Sequence, residues 1–306
     1  MSALGRHVED YLRLRRALGF KLEREGKLLA QLVSYVEAGG GATLTSELVI
    51  RWARQPVTAH SNQWAKRLGV ARKFAIYLHT IDPATKVPPP NVFAVRRRRP
   101  TPYLWSESDI SSLLEGARAL RPPLRAATHE ALFGLLAASG MRVGEAISLH
   151  RDDVDLSAGV ITIREAKLDR SRLVPLHISA IEALRRYVAV RDCLCPRPRS
   201  TAFFLLSAGA QLDRSRVGKA FRSITTAMGV RNATVHPRIH DLRHSFAVRT
   251  LMAWQQSGVS IDAHIATLST YLGHVSPADT YWYLSASPEL MQLAAERLHA
   301  RFGAAQ

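Results

Sequence analysis

Sulfur is scarce in this chain. Of its 306 residues only Cys193 and Cys195 are cysteines. A single residue between them, with no second pair elsewhere, is poor spacing for zinc, so both read as reduced thiols. No run of about 18 apolar residues occurs, so no membrane span is expected. The opening residues include Arg6, His7, Glu9 and Asp10 and lack the apolar stretch of a secretory leader. A His-Glu-x-x-His pair, a P-loop and a dinucleotide glycine signature are all missing, so no cofactor or metal is expected. No internal repeat stands out. These absences point to a cytoplasmic globular protein. Its 47% hydrophobic content and its length suffice for one large domain or two ordinary ones.

Acids are also in short supply. The chain carries 42 Lys and Arg against 25 Asp and Glu, a formal charge of +17. The excess is concentrated: residues 1–100 hold 18 basic and seven acidic side chains, and the remainder 24 and 18. Such a basic first third reads as a nucleic-acid-binding surface ahead of a membrane-surface adaptation.

Apolar spacing predicts four amphipathic helices in that first third. Residues 4–18 and 22–37 carry the first two, Thr45 caps a third that Pro56 ends, and residues 60–79 form the fourth. Together they close a small bundle over residues 1–87. Trp64, Phe74 and their neighbours fall in core register. Lys66, Arg67, Arg72 and Lys73 lie largely on the other side, without interspersed acids, and are assigned to DNA phosphates. A Pro/Arg-rich linker follows over residues 88–103. Pro88-Pro89-Pro90 favours extended backbone, and Arg96, Arg97, Arg98 and Arg99 form a cationic strap for the DNA backbone.

The second domain, residues 104–306, opens at Ser106 with an N-cap and an acidic first turn. An apolar helix over 126–139 is broken by Gly140, so Arg142 begins the next one, with Glu145 three residues on. Val160–Ile163 and Arg172–Pro175 read as a β-hairpin whose polar turn raises Lys167, the only lysine between Lys86 and Lys219. Helices are expected at 178–192 and 213–228, the second bringing Arg214, Arg216, Lys219 and Arg222 to DNA. In a helix over 238–254, His240, Arg243 and His244 share one face. His274 and Tyr283 follow. A phenol is a weak nucleophile unless cations favour its anion, and this segment concentrates cations. Tyrosine attack on a phosphodiester fits that set.

The ordered motifs Gly140-Met141-Arg142-Val143-Gly144-Glu145, Lys167 seven residues before Val174-Pro175-Leu176, His240-Asp241-Leu242-Arg243-His244, Leu272-Gly273-His274 and Tyr283 resemble those of the tyrosine recombinases, the phage integrase family. The turn holds Ala166-Lys167-Leu168 where the family usually has Gly-Lys-Gly. The resemblance implies a mainly α fold with a small β-sheet. A helical core-binding domain and a mixed α/β catalytic domain would form a C-shaped DNA clamp. It also implies a site-specific recombinase of the integrase or transposase type, working through a 3′-phosphotyrosine. Tyr283, nine residues after His274, is its nucleophile rather than Tyr281. Arg142 and Arg243 grip the phosphate, Lys167 is the acid, and His240 and His274 assist. Glu145 orients the site and His244 packs behind it.

The implied partners are duplex DNA with a specific target site and, in the synaptic complex, a homotetramer. An accessory recombinase or a DNA-bending protein fits beside them. A prokaryotic, nucleoid-associated location follows. The tail 287–306, with Leu290, Ala294, Leu298 and Phe302 spaced by four, suits docking on a neighbouring copy or on its own domain. A DNA-binding accessory factor with the same fold, or a type IB topoisomerase-like enzyme, is the alternative reading.

Overall fold

The computed structural model describes residues 2–41, 43–95, 101–164, 171–274, 276 and 278–286. The chain divides into two compact units, Met1–Arg99 and Pro100–Gln306. Among the described residues no helix is long and apolar enough to cross a membrane.

The first unit is a bundle of α1 (Ala3–Ala17), α2 (Glu23–Ala38), α3 (Ser46–Arg54) and α4 (Ser61–His79). Ser2 caps α1 through the Gly5 amide, and Thr45 caps α3 through the Leu48 amide. Leu29, Leu32, Val36, Val49, Trp52, Ala71, Phe74 and Ala75 close its core. The expected linker touches the bundle at Pro88 and Phe93. Phe93 is buried against Trp64, and Arg72 Nε donates to Pro88 O at 3.0 Å. An apolar ring within reach of an open helix face is removed from water. Arg96–Arg99 lie outside the described residues.

The second unit begins with α5 (Glu107–Arg118), where Ser106 and Asp109 form a capping box. Next come α6 (Pro123–Ser139) and the short α7 (Val143–Ile147). β1 (Val154–Asp155), β2 (Val160–Arg164) and β3 (Ser171–Pro175) make an antiparallel sheet in the order β1-β2-β3. Register places Ile161 opposite Val174 and Ile163 opposite Arg172. Ile161, Ile163 and Val174 turn inward to join Leu132, Phe133, Phe203, Phe204 and Phe221 in the core. β1 had no sequence signal, since two residues are too few to show alternation. Helices α8 (Ile178–Leu194), α9 (Arg214–Ala227), α10 (Ile239–Gln256), α11 (Ile261–Leu272) and α12 (Ala278–Ala286) complete the unit. Ala247, Leu251, Ile265, Leu268, Leu272 and Tyr283 form a separate cluster joining α10, α11 and α12. That cluster is one wall of the site.

Candidate active site

Four segments converge on one place: the α6–α7 turn, strand β3, the first turns of α10, and the stretch from the end of α11 into α12. The first depends on Gly140, which ends α6 at φ 63°. A Cβ there would lie 2.5 Å from the Phe246 ring, so the turn requires glycine. It sets Arg142 at the N-cap of α7. Arg142 Nη1 donates to Glu145 Oε1 at 2.6 Å and Nη2 to Gly273 O at 2.6 Å. About a third of the Arg142 side chain stays exposed (35%), whereas Glu145 is largely buried. Burial alone would raise the Glu145 carboxyl, but the hydrogen bonds and charges of Arg172 and Arg142 outweigh it and hold its pKa below the usual value.

From α10, Arg243 reaches inward and is only 1% exposed. Its Nη1 donates to Gly140 O at 2.9 Å and its Nη2 to Leu272 O at 2.7 Å. Its Nε is buried with no hydrogen-bond partner among the described residues. Burial lowers the pKa of this guanidinium, and the neighbouring Tyr283 phenol counters the effect. On the same face His240 and His244 meet edge-to-face, with ring centroids 4.8 Å apart.

Tyr283 is 2% exposed, whereas Tyr281 is 47% exposed. Two residues along α12 turn a side chain by about 200°, so one tyrosine enters the cluster and the other faces solvent. The Tyr283 ring stacks on His274 with centroids 5.8 Å apart and meets His244 at 5.2 Å. His274 is oriented by Thr280, with Nδ1 and Oγ1 2.6 Å apart and Thr280 fully buried.

All three imidazoles are shifted the same way. Burial, then the charge of Arg243, lowers the pKa of His240. His244 is lowered to about 3 by burial and by His240 and Arg238. His274 is lowered to about 4 by burial and by Arg243 and Arg142. Each is therefore neutral at pH 7, with one nitrogen that accepts a hydrogen bond and one that donates. The site thus combines the guanidinium groups of Arg142, Arg172 and Arg243 with neutral imidazoles and a buried phenol.

The model of the phage integrase family matches residues 106–289, more than half of the chain and the whole of this cluster. The chain belongs to the phage integrase family. It is 41% identical over 310 residues to the "Putative integrase/recombinase y4rB" of Sinorhizobium fredii, which it covers to 99%, as it is itself covered. It is 33% identical over 210 residues to the tyrosine recombinase XerD of Mycobacterium tuberculosis, a match spanning 67% of this chain and 62% of that one. Among solved structures it is similar to the Tn1549 transposon integrase in complex with transposon right end DNA. That likeness has TM-score 0.65 and 15% identity, covers 97% and 99% of the two chains, and shows the fold. Tyrosine recombinases are enzymes that cleave and rejoin DNA.

Within this integrase-family chain, Arg142, Glu145, His240, Arg243, His244, His274 and Tyr283 come together. Lys167 lies outside the described residues, between the ends of β2 and β3. Arg214, Arg216, Lys219 and Arg222 are exposed on α9, and Lys66 and Lys73 are exposed on α4. Arg72 is half-buried on Pro88. Arg67 departs from expectation. It is 8% exposed, its guanidinium stacks 3.9 Å over the Trp52 ring, and it donates to Trp52 O and Gln31 Oε1. A guanidinium that has found a ring face and two acceptors inside the bundle has no reason to face phosphate.

Two site residues escaped the sequence reading. Arg172 donates to Glu145 Oε2 at 2.8 Å. In the sequence it was one basic residue in a strand. Thr280 gave a weak signal, three residues before Tyr283 and so on the same helical face.

Proposed function

We propose that the chain is a site-specific recombinase of the integrase or transposase type, which cuts and rejoins duplex DNA through Tyr283. The observation that carries this reading is the opposite burial of the two tyrosines, with Tyr283 alone set against Arg243, His244 and His274. Arg142 and Arg243 take the non-bridging oxygens of the scissile phosphate and offset the charge that builds in the transition state. To do so they exchange part of their bonding to the α11 carbonyls for the phosphate. The Tyr283 oxygen attacks phosphorus, its proton passes to His240, and the bond to the 5′ oxygen breaks. Lys167 supplies the proton to that leaving oxygen. His274 donates to the phosphate, and Glu145 holds the Arg142 fork. Attack by the 5′-hydroxyl of the other duplex reverses each step, so bond energy is kept in the phosphotyrosine.

The partner is duplex DNA, met by the α9 arginines with Lys219 and by Lys66 and Lys73. The Tn1549 integrase bound to transposon end DNA shares the fold, which supports a mobile-element substrate. Strand exchange requires four cuts, hence a tetramer; the tail 287–306, which lies outside the described residues, is assigned to joining neighbouring copies. Truncation after Ser287 should leave a chain that binds one site and fails to pair two. A truncated chain that still pairs sites removes the tail from the assembly.

The central test is covalent capture on nicked duplexes drawn from the DNA flanking its own gene. Wild type and Tyr281→Phe should form a denaturant-stable adduct, and Tyr283→Phe should bind the same site without one. Adduct formation by Tyr283→Phe would overturn the nucleophile, and no wild-type adduct on any flanking sequence would overturn the reaction.

A further inference from the structure

Arg172 is the second residue of β3, yet its side chain belongs to the active-site cluster. Nη2 donates to Glu145 Oε2 at 2.8 Å, and Nε donates to Tyr271 O at 3.2 Å. Both partners of the ion pair are nearly closed to solvent, with side chains 13% and 12% exposed. Glu145 is thereby held from both sides: Oε1 receives Arg142 Nη1, and Oε2 receives the Arg142 amide and Arg172.

The end of α11 shows the same division of labour. Three successive carbonyls are each taken by a different arginine: Tyr271 by Arg172, Leu272 by Arg243 and Gly273 by Arg142. A helix C-terminus carries unpaired carbonyls and the negative end of the helix dipole, so it suits cations. Gly273 permits this crowding. It lies at φ 69°, and a Cβ there would fall 2.6 Å from Arg172 Cζ. Arg172 therefore touches both things that orient Arg142, its carboxylate and the turn that accepts its second nitrogen.

We infer that Arg172 is a positioning residue for DNA cleavage, holding Glu145 and the 271–273 carbonyls so that the Arg142 fork is aimed before DNA arrives. The inference rests on Arg142 being the phosphate clamp of the proposed reaction. Without Arg172, Glu145 keeps its two bonds to Arg142 but loses the tie, not running through Arg142 itself, that joins its carboxylate to the Tyr271 carbonyl. Lysine does not replace the arginine, because one ammonium cannot reach a carboxylate and a carbonyl in the fixed geometry of a fork.

The effect is on charge clamping, and that gives it a signature. Single-turnover cleavage is measured for full-length wild type, Arg172→Ala and Arg172→Lys. The nicked duplexes carry either a phosphate or a neutral methylphosphonate at the scissile position. Both variants should cleave the phosphate on the order of 10–100-fold more slowly, the loss typical of residues that orient ligating side chains. Most of that deficit should vanish on the methylphosphonate, which carries no anion to clamp. Site affinity should stay near wild type, the melting midpoint of Arg172→Ala should fall because Glu145 loses a buried ion-pair partner, and Arg172→Lys carries the test if the alanine variant does not fold. Equal deficits on both substrates, or full cleavage by Arg172→Lys, would overturn the inference. Absence of cleavage by wild type would instead count against the proposed reaction.

Discussion

Protonating His244 is the perturbation whose cost the structure fixes most directly. Its ring is 7% exposed, lies against His240, Trp282 and Tyr283, and has a buried Nδ1 with no partner among the described residues. Its pKa in the fold is about 3, mainly through burial, against about 6.5 in an unfolded chain. A histidine lowered in this way contributes stability that is present above the unfolded value and is lost as pH falls towards the folded one. Below pH 6.5 each further unit costs about 1.4 kcal/mol for one such group, so a drop from pH 7.5 to 5.5 removes about 1.4 kcal/mol through His244 alone. In a unit of this size that corresponds to roughly 3–6 °C in melting midpoint. The assay is denaturant or thermal unfolding of the whole chain at both pH values, for wild type and His244→Phe. The phenylalanine keeps a ring in place and removes the titration. It should flatten the pH dependence by about 1.4 kcal/mol even if it shifts stability at both pH values. Parallel losses in the two proteins would show that the fold does not hold His244 neutral, and the reasoning from burial would fail.

Arg67→Ala should destabilise the first unit by about 2–3 kcal/mol through lost stacking and lost hydrogen bonds, read by urea unfolding. It should leave the salt dependence of DNA binding unchanged, whereas Lys66→Ala and Lys73→Ala should each reduce the slope by about one. A reduced slope for Arg67→Ala would return that residue to the DNA interface. Lys167→Ala should slow cleavage of ordinary DNA far more than cleavage of a substrate with a 5′-bridging phosphorothiolate, since a thiolate leaves without a general acid. No rescue by sulfur would move the acid role to another group, His240 first.

Local signals in the sequence carried much of the fold. Helix spacing, the Ser106 and Thr45 caps and the Gly140 break located the elements, because they act within a few residues along the chain. The ordered motifs carried the family, and their spacing is the source of the proposal that Tyr283 rather than Tyr281 is the nucleophile. Neither source could say which side of α4 Arg67 would occupy. A guanidinium beside Leu68 fits water or a packed ring equally well until Trp52 from another helix is in place. Nor could they find Arg172, whose partners Glu145 and Tyr271 lie 27 and 99 residues away. The bonds that aim the arginines span 131 residues from Arg142 to Gly273 and 103 from Arg243 to Gly140. Such pairings exist only after the helices close, and no local preference encodes them. The charge state of the histidines belongs to the same class. The sequence supplied the imidazoles, and burial beside the arginines made them neutral.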